Sequence, residues 1–252
     1  MNKLLTILLS LYSILFVSCG SGQSNTTDNN RDTIFVHDTV MPEGEITYNI
    51  PCRVISVNQS KPGKSVCFLW LHGGVNTQEY HDYFGPRRHI DCCAAQDSVI
   101  KYFRTKGIKA IALLPVCHKA SINHCVTWRA CISDIKHIID TYNRQGLIDS
   151  TRIYIAGSSD GGAGTWDFIS EYPDFFAAAM PMSCAGPRFI NQTPVYFSNT
   201  GSEPDCTAQV NELIQKGATI EYKRYSEYKH GRDDIEVTES FLDKFFSNIN
   251  SK

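Results

Sequence analysis

Arg152-Ile153-Tyr154-Ile155-Ala156-Gly157-Ser158-Ser159-Asp160-Gly161-Gly162-Ala163-Gly164-Thr165-Trp166-Asp167-Phe168-Ile169-Ser170 is the stretch on which the reading of this chain turns. Its first five residues are rich in β-formers and predict a strand. From Gly162 onward the residues can wind into a helix. Between them, Gly157-Ser158-Ser159-Asp160-Gly161 spells G-x-S-x-G. A strand, a tight turn and a helix in that order push one serine hydroxyl into the open above a sheet. The glycines answer the crowding of the turn, where the serine sits in a strained backbone conformation. Ser159 is the candidate nucleophile, and acyl transfer to water is the chemistry to expect. Ser158 sits in the same motif at the wrong place and reads as a small residue easing the turn.

Outward from this segment the chain alternates strand-like and helix-like runs. Ile34 to Val40 and Glu45 to Val57 predict an antiparallel hairpin or meander. Val66 to Leu71 and Lys109 to Leu114 are continuous apolar runs, as expected of strands buried on both faces. Ala94 to Lys106 reads as a helix stopped by Gly107. Ile132, Ile135, Ile138, Ile139 and Tyr142 recur at helical spacing and predict a helix packed on a sheet. Further strands are expected at Phe176 to Met180, Val195 to Phe197 and Thr219 to Tyr225. Helices are expected at Ala208 to Lys216 and Ile235 to Ile249. Strand-helix alternation with short links means an α/β domain, a mostly parallel sheet with helices on both faces. No internal repeat and no second domain is visible.

A serine hydroxyl attacks well only when a base takes its proton and a third group orients the base. In this architecture the order is serine, acid, histidine. His230, in Tyr228-Lys229-His230-Gly231, follows the last strand and is the only histidine after Ser159. The acid belongs after the preceding strand, where Asp205 is the first choice and Glu203 the alternative. Asp233 and Asp234 stand so near His230 in sequence that they read as charges at the start of the last helix. An oxyanion needs preorganised N–H donors. One is expected from the backbone of Asp160 and another from Gly74, with Val75 second, in Leu71-His72-Gly73-Gly74-Val75. His72 reads as a structural anchor of that loop.

The chain has 252 residues, 24 basic and 26 acidic, with a formal net charge of −2. No basic stripe points to nucleic acid. Lys3 precedes an apolar run from Leu4 to Val17 that ends at Ser18-Cys19-Gly20. Residues 1–18 read as a secretory signal. Cys19 is placed for acylation, which predicts a lipoprotein whose only membrane contact is its lipid anchor. The polar segment over residues 19–33 then serves as a flexible tether, and residues 34–252 form the catalytic domain. Ten cysteines fit an exported protein. Setting Cys19 aside leaves nine, an odd number. Cys117, Cys125 and Cys131 are close enough in sequence to close a small loop. The Cys117-His118 and His124-Cys125 spacing fits no common zinc pattern, so neither metal nor cofactor is expected.

Leu69-Trp70-Leu71-His72-Gly73-Gly74, Ile153 to Gly162, Gly164-Thr165-Trp166-Asp167 and Tyr172-Pro173-Asp174-Phe175-Phe176-Ala177-Ala178-Ala179 together resemble the α/β-hydrolase superfamily. Within it they are similar to secreted esterases related to feruloyl esterases, acetylxylan esterases and polyhydroxybutyrate depolymerases. The resemblance covers roughly residues 45 to 247. It implies an α/β-hydrolase fold, and relatives often carry a tryptophan where Trp128 lies. Two positions depart from the pattern. The family usually has Met or Leu where Asp160 stands, and an acidic side chain there opposes a developing oxyanion unless it points away. The family also expects an aspartate three residues after Gly201, where this chain has Pro204.

Only Pro181 to Thr193 fills the place where many such folds insert a helical lid. A site without a substantial lid suits bulky or polymeric esters. Acyl decorations, feruloyl or acetyl, on an extracellular polysaccharide are the expected substrates of a Ser-His-Asp/Glu esterase of this kind. A serine peptidase of the same fold and a catalytically weakened binding lipoprotein are the competing readings.

Overall fold

The computed structural model describes residues 34–37, 50, 52–74, 94–115, 117, 128–188 and 192–251. Residues 32–252 cluster as one unit. Among the described residues eight strands form a single sheet: β1 (Ile34–His37), β2 (Cys52–Val57), β3 (Ser65–Leu71), β4 (Ala110–Pro115), β5 (Ile148–Ser158), β6 (Ala178–Met182), β7 (Val195–Thr200) and β8 (Ile220–Tyr225). Their spatial order is β1-β2-β4-β3-β5-β6-β7-β8. The pairs β1–β2 and β2–β4 are antiparallel, and all the others are parallel. The expected mostly parallel α/β sheet is therefore present. β3 and β4 are buried along their whole lengths, which explains why they read as unbroken apolar runs.

Among the described residues five helices accompany the sheet: α1 (Ala94–Lys106), α2 (Ile132–Arg144), α3 (Asp160–Glu171), α4 (Thr207–Gln215) and α5 (Glu239–Phe246). Crossovers between parallel strands are right-handed, so the direction of travel decides the face. The step from β3 through α1 to β4 runs one way along the sheet. The steps from β4 to β5, β5 to β6 and β7 to β8 run the other way. α1 therefore lies on the face opposite α2, α3 and α4. α5 joins α1, where Phe103 and Phe246 pack with ring centroids 4.8 Å apart and both meet Phe68 of β3. On the other face Trp166 of α3 meets Phe197 of β7 at 5.4 Å.

The chain reverses its direction of travel between β3 and β5, and in open α/β sheets such a reversal leaves a crevice at the carboxyl ends of the strands. β3 and β5 are direct neighbours, with Leu71 opposite Gly157. The loop leaving β3 after Leu71 and the turn leaving β5 after Gly157 are therefore brought together at that end of the sheet.

Several boundaries differ from the expectation: β6 spans Ala178–Met182 and not Phe176 to Met180, β7 runs on to Thr200, and the last helix ends at Phe246 and not Ile249. β5 begins at Ile148, earlier than the run from Arg152 indicated. The last helix starts at Glu239, capped by the Thr238 hydroxyl accepting the Phe241 N–H, and not at Ile235. Asp233–Ile235 forms a separate 3₁₀ turn instead, because the side chain of Asp233 turns inward. Between β6 and β7 no helix occurs among the described residues. Among the described residues, no helix is long and apolar enough to cross a membrane. Cys19 and its tether lie outside them, as do Val75, His118, His124 and Cys125.

Candidate active site

Ser159 sits between β5 and α3 with φ 58° and ψ −120°. For a residue with a Cβ this is a strained conformation, costing about 1–3 kcal/mol. The surroundings hold it there. Its N–H donates to the Met182 carbonyl at 3.0 Å, and its carbonyl accepts the Ala163 N–H at 3.0 Å. The turn also needs Gly161, where a Cβ would fall 1.9 Å from the Leu71 carbonyl oxygen. The end of β3 and the start of α3 thus touch backbone to backbone. The strand-turn-helix geometry expected around Ser159 is what forms.

The loop after β3 arrives beside it. A Cβ on Gly73 would stand 3.3 Å from Ser159 Cβ and 3.9 Å from its Oγ. Gly74, the expected oxyanion donor, follows directly and is exposed. His72 anchors this loop. Its Nε2 accepts the Cys117 N–H at 3.1 Å, so its proton sits on Nδ1 and is given to the Gly73 carbonyl at 2.7 Å. Its own carbonyl accepts Trp128 Nε1–H at 3.0 Å. The rings of His72 and Trp128 pack edge to face, 4.8 Å apart. Burial lowers the His72 pKa to about 4, although the bond to Gly73 pulls the other way. The residue is a neutral scaffold, not a base.

Asp160 opens α3 and is half-buried. A carboxylate at a helix N-terminus interacts favourably with the helix dipole, which gives a structural reason for an acidic residue beside Ser159.

The expected acid and base residues follow β7 and β8, which are joined in register with Thr200 opposite Tyr225. The loops beyond them are fastened together. Gly201 N–H donates to the Tyr228 carbonyl at 2.9 Å, and a Cβ on Gly201 would lie 2.2 Å from the Ser226 carbonyl oxygen. The His230 N–H donates to Ser202 Oγ at 3.1 Å. His230 Nδ1 then meets Glu203 Oε1 at 2.6 Å. The other Glu203 oxygen accepts the Thr200 N–H and hydroxyl, both at 2.7 Å. Burial pushes the Glu203 carboxyl up. The Thr200 hydroxyl, His230 and the Thr200 N–H outweigh it, and the carboxyl lies below its ordinary value. Glu203 is therefore a charged, buried acceptor that fixes a proton of His230 on Nδ1 and directs Nε2 away from the carboxylate. Half of the His230 side chain is exposed. Among the described residues no hydrogen bond joins it to Ser159 Oγ, a contact that often tightens only when substrate is bound.

Asp205 is not the carboxylate that meets the histidine. It is exposed, and its Oδ1 accepts the N–H and hydroxyl of Thr207 at 2.9 and 2.6 Å, as a turn at the start of α4. The extra methylene of Glu203 lets a residue two places after Gly201 reach where an aspartate was expected three places after it.

The surroundings of Asp233 and Ser158 differ from what the sequence suggests. Asp233 is buried, and its carboxylate accepts the Ser158 hydroxyl and, at 2.5 Å, the Ser183 hydroxyl. It is neither an exposed helix charge nor a loop residue, and Ser158 does more than ease the turn. A contact between positions 75 apart leaves no local periodicity to read.

The six described cysteines are buried and no disulfide joins them. Cys117 Sγ and Cys131 Sγ stand 3.4 Å apart. Burial raises the Cys52, Cys67 and Cys184 thiols well above their ordinary value, so they are inert packing groups. Among the described residues no group of three His, Cys, Asp or Glu is placed to hold a metal ion.

Solved structures share this architecture. A thermostable esterase superposes with a TM-score of 0.60 at 21% identity, over 86% of this chain and 63% of its own. A dienelactone hydrolase from Klebsiella pneumoniae, described as putative, gives 0.56 at 15%, over 86% of this chain and 99% of its own. Est1E from Butyrivibrio proteoclasticus gives 0.54 at 11%, over 79% of this chain and 96% of its own. The chain has the α/β-hydrolase fold. No family model matches it. In sequence, it is 30% identical over 158 residues to an uncharacterized secreted protein of Arthroderma benhamiae, covering 57% of this chain. The chain spans about 15% of the length of that relative and 63% of that of the esterase. Within the α/β-hydrolase fold, Ser159 and the Gly73-Gly74 loop lie at the strand ends where the sheet reverses.

Proposed function

We propose that the chain is a serine carboxylic-ester hydrolase whose nucleophile is Ser159, whose base is His230 and whose acid is Glu203. The single observation that supports this most is the 2.6 Å contact of His230 Nδ1 with buried Glu203, in a fold that holds Ser159 in the elbow conformation.

In this mechanism His230 Nε2 takes the proton of Ser159 Oγ as the oxygen bonds to the ester carbonyl carbon. The carbonyl electrons move onto oxygen, where the backbone N–H groups of Asp160 and Gly74 receive the negative charge. The imidazolium, stabilised by Glu203, then gives its Nε2 proton to the leaving alcohol. Water, deprotonated by the same nitrogen, attacks the acyl-enzyme and releases the acid and free Ser159.

The proposed substrates are acyl decorations, feruloyl or acetyl, on an extracellular polysaccharide. The lack of a helix between β6 and β7 among the described residues favours bulky esters. A ferulic acid complex of Est1E, a protein of the same fold, agrees with this class. Export on a lipid at Cys19 would hold the domain at a membrane surface facing such polymers.

The test is labelling with a fluorophosphonate and turnover of acetyl, feruloyl and long-chain esters, comparing the full chain with Ser159→Ala. Labelling and turnover that vanish in the variant are expected. Labelling unchanged by Ser159→Ala, or none in either protein, would remove the proposal. Activity confined to long-chain lipid esters would remove the substrate class.

A further inference from the structure

We propose that Asp233 is a positioning residue for His230, clamping the loop that carries the base onto the elbow that carries the nucleophile. The inference rests on Ser159 as nucleophile and His230 as base.

The carboxylate makes two bonds, and both partners adjoin the elbow. Ser158, which donates to Oδ2, is the residue directly before Ser159. Ser183, which donates to Oδ1 at 2.5 Å, directly follows Met182, whose carbonyl holds the Ser159 N–H. Ser183 is itself fixed. It adopts φ 48°, and its N–H donates to the Ser198 carbonyl at 2.9 Å. One buried carboxylate therefore ties the ends of β5 and β6 to a point three residues past His230.

Glu203 cannot supply this constraint. It joins His230 to the loop after β7, and the bonds of Gly201 and Ser202 do the same. Those contacts make the acid and the base one rigid piece, but they leave open where that piece lies relative to Ser159. Asp233 is the polar link from the His230 loop to the serine elbow among the described residues. A buried carboxylate costs free energy unless its lone pairs are used. Here it also holds the backbone of the base loop in the short 3₁₀ turn Asp233–Ile235, at the expense of another turn of α5.

The test uses hydrolysis of p-nitrophenyl acetate by the full chain. Asp233→Ala is expected to lower kcat by about 10- to 100-fold, the effect of displacing a catalytic group by about 1 Å, with KM within about twofold. Asp233→Asn can still accept from Ser158 and donate to the Ser183 hydroxyl, so it is expected to stay within about threefold of wild type. The triple variant S158A/S183A/D233L leaves no polar partner orphaned and keeps the fold testable should Asp233→Ala fail to fold. It is expected to be as slow as Asp233→Ala. In a His230→Ala background Asp233→Ala should have no further effect, since it acts through that residue.

A kcat unchanged in Asp233→Ala or in the triple variant would overturn the inference. So would an Asp233→Ala loss that persists without His230, or an Asp233→Asn as slow as Asp233→Ala. An inactive wild type would instead remove the esterase reading, which separates the two failures.

Discussion

His72 should make the fold sensitive to mild acid, and the sign is set by its burial. Its folded pKa is about 4 against an ordinary 6.5. Between those values the unfolded chain binds a proton that the folded chain refuses. The contribution is therefore fully present above pH 6.5 and is lost as pH falls toward 4. One proton gives a slope of about 1.4 kcal/mol per pH unit, or roughly 3 kcal/mol across the window. His72→Gln isolates this term. A glutamine oxygen can accept the Cys117 N–H and its amide can donate to the Gly73 carbonyl, and it does not titrate. Urea unfolding of both proteins at pH 7, 6, 5 and 4 is the assay. The stability of wild type relative to His72→Gln should fall by roughly 3 kcal/mol between the ends of that series. The depressed carboxyl of Glu203 adds acid sensitivity of the same sign at lower pH, but it is common to both proteins and cancels. Parallel pH curves would mean that His72 exchanges its proton as freely as in the unfolded chain, and the account of a neutral anchor would be wrong.

Two substitutions at the acid loop should separate cleanly. Glu203→Gln is expected to lower kcat by about 10²- to 10⁴-fold, whereas Asp205→Asn, an exposed change, should stay within about twofold. Steady-state turnover checks both, and a collapse in Asp205→Asn alone would reverse the assignment. Gly161→Ala places a methyl 1.9 Å from the Leu71 carbonyl oxygen. It should cost about 3 kcal/mol or more, which for a domain of this size is roughly 10 °C in Tm. An unchanged melting temperature would show that β3 and α3 can part there.

What the sequence disclosed was set by how local each signal is. β3, β4 and α1 depend on runs and periods within a dozen residues, and they form close to where those patterns place them. Ser159 could be singled out because the elbow is one continuous segment, and His230 because one histidine follows it. Which carboxylate meets that histidine could not be read, because an aspartate and a glutamate two residues apart differ only in which reaches across to the neighbouring loop. Asp233 was hidden for a sharper reason. Its charge and its place before α5 suit a helix start, and only the folded sheet brings Ser158 and Ser183 over it. The last helix starts only after the Asp233–Ile235 turn, at the Thr238 cap.

The order of the strands has one more consequence. β5, which carries the serine, is central and hydrogen-bonded on both sides, to β3 and β6. β8, which leads to His230, is the outermost strand and among the described residues is bonded only to β7. Backbone amides along a sheet margin open to solvent at lower free energy than those within it. In the proposed mechanism, fraying of this margin reaches the base before it reaches the nucleophile. A warmed or partly denatured molecule would be silent yet still mostly folded, and it could regain its function by re-zipping a single strand.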